Sequence, residues 1–79
     1  MKKLPKGGNY VILDDVLLTK IEVKFYQCLA DGYSIIEAAQ MVAESKRTCE
    51  DRMYRLQSHL EVGTKLGLIT YLMRKKIIK

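Results

Sequence analysis

With 79 residues, the chain holds one small domain, near the lower size limit for an apolar core that stands without staples. A hydrophobic fraction of 48% excludes a wholly disordered tail, and no apolar run is long enough to span a membrane. The net charge of +5 suits an anionic partner, though it serves solubility equally well.

That charge is unevenly spread. Lys2, Lys3 and Lys6 open the chain, and six acids outnumber Lys20 and Lys24 between residues 7 and 44. Lys65, Arg74, Lys75, Lys76 and Lys79 then close it, with no acid beyond residue 61. Basic ends around an acidic middle fit a polyanion met by selected surfaces. Cys28 and Cys49 lie far apart within helical patterns and read as small core residues; with the lone His59 they make no zinc spacing. The first lysines are followed by Gly-Gly-Asn, not by a signal-peptide apolar run, so a cytoplasmic protein is expected. No paired carboxylates, phosphate-binding glycine loop or nucleophile–base set is visible, so neither an enzyme nor a cofactor or metal is expected.

In chain order, residues 1–9 form a basic arm holding Pro5, Gly7 and Gly8. Residues 10–13, Tyr-Val-Ile-Leu, are a β-prone run that Asp14-Asp15 ends. One strand cannot pair with itself, so this run is expected against the helices, against a second subunit, or simply extended. Residues 1–17 are thus read as an arm with a short extended segment, and residues 18–79 as a helical domain.

Thr19 caps the first helix and Glu22, three residues on, closes a capping box. Phe25, Tyr26 and Leu29 face inward, and Asp31-Gly32 stops the helix. Ser34 and Glu37 repeat the box for a second helix with a small inner face of Ala38, Ala39 and Val42. Ser45 caps the third after only a short turn. Its Cys49, Met53, Leu56 and Leu60, spaced four, three and four, make an apolar stripe, and it is expected to run to about Leu60 and end near Gly63. Thr64 caps a fourth helix with Leu68, Ile69 and Leu72 on its apolar side. Two helices joined so tightly describe a helix-turn-helix, and the fold class expected is all-α: a four-helix, bundle-like helix-turn-helix domain with an extended N-terminal arm.

Residues 18–78 resemble the DNA-binding domain of LuxR-type (GerE-type) bacterial transcriptional regulators. The resemblance rests on Leu18-Thr19-x-x-Glu22, Gly32-x-Ser34-x-x-Glu37-x-Ala39, Ser45-x-x-Thr48 and Leu60-x-Val62 followed by Lys65, in order and without a gap. It implies a third helix in the major groove and a fourth that serves dimerisation. The chain departs from the family at Cys49 and then Glu50-Asp51, where a basic and a polar residue are usual, and at Arg52 and His59. Ile21, Ile35 and Ile36 replace basic or polar residues.

The function expected is therefore a small standalone transcriptional regulator that binds double-stranded DNA as a homodimer. Its DNA-binding residues would be Lys46, Arg47, Thr48, Glu50, Asp51, Arg52, Tyr54, Arg55 and Lys65, and its dimer interface Leu68, Ile69 and Leu72. Lysines and arginines would meet phosphates, while Glu50, Asp51 and Tyr54 would do any base reading. Against this, the two acids also suit pairing with Lys46, Arg47 or Arg55 on a solvated helix face. The alternative is a protein-interaction module that keeps the fold without DNA, with a partner at Ile21, Ile35 and Ile36. For those three isoleucines the expected cover is the run at residues 10–13. The basic, amphipathic C-terminal stretch is not expected to meet a membrane.

Overall fold

The computed structural model describes residues 10–79. Its elements are β1 (Tyr10–Leu13), β2 (Val16–Thr19), α1 (Lys20–Ala30), α2 (Ile35–Met41), α3 (Lys46–Leu60) and α4 (Lys65–Arg74). The domain is mostly helical, with one small antiparallel sheet. The arm expected over residues 1–9 lies outside the described residues.

The sheet corrects the reading of the N-terminal third. β1 pairs with β2, in the register Tyr10↔Thr19, Val11↔Leu18, Ile12↔Leu17 and Leu13↔Val16. Asp14 and Asp15 do end the first strand, but they also turn the chain straight back. Their φ values of 48° and 67° are both left-handed, as the tightest hairpin turn requires. Aspartate tolerates that region better than most side chains, so two acids that read as a stop form a turn. Residues 16 and 17, read as arm, are strand. The hairpin also leaves Ile21 and Ile36 exposed, so the expected cover over them does not form; Ile35 is half-buried by the core.

All four helices begin as their sequences dictate. Thr19 Oγ1 accepts from Glu22 N at 3.2 Å while the Glu22 carboxylate accepts from Thr19 N at 3.3 Å. Ser34 and Glu37 form the same reciprocal pair at 3.1 and 2.9 Å. Ser45 Oγ accepts from Thr48 N at 3.0 Å, and Thr64 Oγ1 from Gly67 N at 2.9 Å. Each such cap is worth about 1 kcal/mol.

The helix ends share one device. In each, an amide bonds back five residues: Tyr33 N to Cys28 O, Glu44 N to Ala39 O, Val62 N to Gln57 O and Ile77 N to Leu72 O, at 2.9–3.1 Å. The residue just before that amide is left-handed, namely Gly32, Ala43, Glu61 and Lys76. This is the Schellman closure, and only the first of the four uses glycine. The third helix accordingly ends at Leu60, as expected, and Glu61 rather than the nearby Gly63 is the left-handed residue that closes it.

The core gathers the inward faces of the four helices and one side of the hairpin. Leu18, Tyr26, Met53, Leu68 and Leu72 are its largest fully buried side chains. Ala38 and Ala39 are buried and small, which lets α2 sit close to both α1 and α3. Leu68, Ile69 and Leu72 were expected at a dimer interface, yet they are only 0%, 8% and 0% exposed in the single chain. An amphipathic stripe records burial without saying against what, and here the answer is the domain's own core. After α4 the chain folds back: Ile78 is buried, Lys79 N donates to Gln27 Oε1 at 2.8 Å, and Gln27 Nε2 donates to Lys79 O at 3.0 Å.

Candidate functional site

The surface of α3 follows from its stripe. Cys49, Met53, Leu56 and Gln57 are buried, so the residues half a turn away face water. Arg47, Asp51, Tyr54 and Ser58, spaced four, three and four, form the centre line of that outer face, and all four are exposed. Arg55 is exposed on one flank of the line. Lys46 and Glu50 lie on the other and pair at 3.9 Å. Ion pairs this open contribute little stability, but this one uses the Glu50 charge locally.

The residues expected at a DNA surface therefore divide. Lys46, Arg47, Asp51, Tyr54 and Arg55 are displayed together on α3, with Glu50 half-buried among them. Thr48 is half-buried, and its hydroxyl accepts from Ser45 Oγ at 2.8 Å, which makes it part of the cap. Arg52 points elsewhere. Its guanidinium bonds the Glu44 carboxylate at 3.2 Å and braces the connection between α2 and α3. Lys65 is exposed in the first turn of α4, on a separate element. Among the described residues, Arg47, Arg55 and Lys65 have no carboxylate within ion-pair distance.

Helix-end electrostatics set α3 and α4 apart. The first turn of α2 holds Glu37, the sign that suits the positive end of a helix, and in that of α1 Glu22 offsets Lys20. The first turns of α3 and α4 hold no acid; α3 begins with Lys46 and Arg47, and α4 with Lys65. Cations there repel the helix dipole, so the placement works against helix stability. It also concentrates positive potential where free backbone N–H groups point outward.

Behind this face the polar groups are quiet. Burial, then the Glu22 carboxylate, pushes the Tyr26 phenol far above its ordinary range, and its hydroxyl has no partner among the described residues. Burial and then Glu44 push the Cys49 thiol up, with Arg52 opposing, so it stays protonated and a poor nucleophile. Cys28 and Cys49 are both free and buried. Among the described residues no cluster of His, Cys, Asp or Glu is placed to hold a metal, and no helix is long and apolar enough to cross a membrane.

One participant escaped the sequence. His59, read as a surface or helix-end residue, has its Nε2 3.1 Å from the Asp14 carbonyl oxygen. The Tyr71 hydroxyl donates to the Asp14 carboxylate, and the Lys75 ammonium lies 5.5 Å from the Tyr71 ring centre. The hairpin turn is thus held by α3 and α4 together. No local pattern announces a contact between residues so distant in sequence.

Comparison with known protein families, with curated proteins and with solved structures finds no match. The functional reading accordingly rests on the chain's own geometry, charge and sequence motifs.

Proposed function

We propose that the protein is a small DNA-binding transcriptional regulator that acts as a homodimer. α2, its short connection and α3 serve as a helix-turn-helix, and the exposed side of α3 enters the major groove. The observation that carries this reading is the cationic start of α3. Lys46 and Arg47 occupy the one part of a helix where cations are unfavourable, and a phosphate would turn that penalty into an attraction. Arg47, Arg55 and Lys65 contact phosphates, and Asp51 and Tyr54 face the base edges. Asp51 can accept from cytosine N4, while Glu50 is occupied by Lys46. The LuxR-type resemblance of the sequence supports the same assignment.

A gel-shift series against duplex DNA, repeated over a range of salt, tests it. Binding should be clear at low salt and weaken steeply as salt rises, because phosphate contacts release counterions. No binding at low salt removes the proposal.

The exposure of Ile21 and Ile36 favours a second reading, in which this fold serves a protein partner without DNA. Asp51→Asn separates the two. Removing the charge should tighten duplex binding if α3 meets DNA, and should leave a chain indifferent to DNA unchanged.

A further inference from the structure

We infer that the open edge of β1 is where two copies of this chain join, antiparallel, into a single four-stranded sheet. This deepens the dimeric part of the proposed function and rests on nothing in its DNA part.

Ladder geometry decides which backbone groups are free. In a hairpin with a two-residue turn, the residues flanking the turn exchange both hydrogen bonds, and bonded pairs then alternate along the strands. Leu13 with Val16 and Val11 with Leu18 are therefore the bonded pairs. The N–H and C=O groups of Tyr10 and Ile12 point away from β2. Among the described residues no other strand or backbone group meets them.

Apart from its four-residue length, this edge, Tyr10–Leu13, lacks the charge and proline that usually keep strands apart. Val11 is 37% and Ile12 58% exposed, on opposite faces of the sheet, so apolar surface lies open on both sides of the edge. Two such strands related by a two-fold axis near Val11 and Ile12 offer each other the same donors and acceptors. Neither brings a charge that the other must accommodate. The Val11 side chains of the two copies meet near the axis, and Ile12, with Leu17 beside it, extends an apolar band across the outer face. Four strands also form a sturdier sheet than two.

Of the other exposed apolar side chains, Leu66 and Met73 on α4 suit self-association less well, because they are flanked by Lys65, Arg74 and Lys75 and residues 62–79 contain no acid. Two copies meeting there would set like charges against each other. A foreign strand selected by β1 would need a charge or shape cue that an uncharged four-residue edge does not supply.

Sedimentation velocity on the full chain without DNA, from low micromolar to near-millimolar concentration, tests the inference. The wild type should dimerise. Ile12→Lys and Ile12→Glu should each sediment as monomers with wild-type circular dichroism, since the side chain is exposed, and mixing the two variants should restore the dimer. A wild type that stays monomeric, an Ile12→Lys chain that dimerises as the wild type does, or a mixture that stays monomeric overturns the inference. If both variants unfold, hydrogen exchange at the Ile12 amide of the wild type decides. Protection that rises with protein concentration supports the edge pairing, and protection independent of concentration overturns it. A dimer that ignores DNA leaves this inference standing and removes the DNA reading; a monomer that binds DNA does the reverse.

Discussion

Asp51 and Arg47 stand one helical turn apart on the exposed line of α3, and their opposite charges make opposite forecasts. Arg47→Ala should reduce the slope of log affinity against log salt by about one, the signature of a lost phosphate contact. It should weaken binding to all duplexes alike. If α3 enters the major groove as proposed, Asp51→Asn should strengthen binding and also change which duplexes are preferred, because position 51 would then face base edges. Inside the domain, Tyr26 carries a hydroxyl with no partner among the described residues. A buried polar atom in that condition costs about 1–3 kcal/mol, so Tyr26→Phe should be neutral or stabilising in urea unfolding. These three roles were unevenly legible. The exposure of Arg47 and Asp51 follows from helical spacing alone, whereas the isolation of the Tyr26 hydroxyl depends on every neighbour that encloses it.

Helix starts were the most legible features of the chain, because a cap and its partner lie only three residues apart. Thr19, Ser34, Ser45 and Thr64 all act where spacing placed them. The ends of α1 and α3 were legible in place, but the device that closes the helices was not, since Ala43, Glu61 and Lys76 adopt a conformation that their identities do not advertise. That conformation strains a side chain but not glycine. Ala43→Gly and Glu61→Gly should therefore each raise stability by about 1 kcal/mol in denaturant unfolding. The second capping box also has a pH signature. Bonds from the Ser34 backbone N–H, and secondarily its hydroxyl, hold the Glu37 carboxyl below its usual range. A lowered native value means that the box contributes fully above the ordinary glutamate pKa of about 4.3, and that its contribution fades as pH falls through the native value. Glu37→Gln should consequently lose less stability than the wild type across that acid window, as compared by urea unfolding at each pH.

At the scale of the whole molecule, four helices around one core were readable from periodicity, and the partners of each surface were not. Leu68, Ile69 and Leu72 show the difference, because a stripe that fills a monomer's own core has the same spacing as one that meets a second subunit. The hairpin was missed for a related reason. Asp14-Asp15 by itself reads as the end of a strand, and only the two β-prone runs on either side of it together make it a turn. The domain is also fastened where no sequence window reaches: Tyr71 holds Asp14 from 57 residues away, and Gln27 holds Lys79 from 52.

The clasp on Asp14 has a consequence for the order of events in folding. Caps between residues three apart close within the first turns of helix, whereas a loop of that length is slow to close and is rewarded only once both ends are built. The Tyr71–Asp14 contact should then form after the rate-limiting barrier. Tyr71→Phe would leave the refolding limb of a stopped-flow chevron nearly unmoved and lift the unfolding limb, so the clasp would govern how long the folded state lasts rather than how soon it is reached.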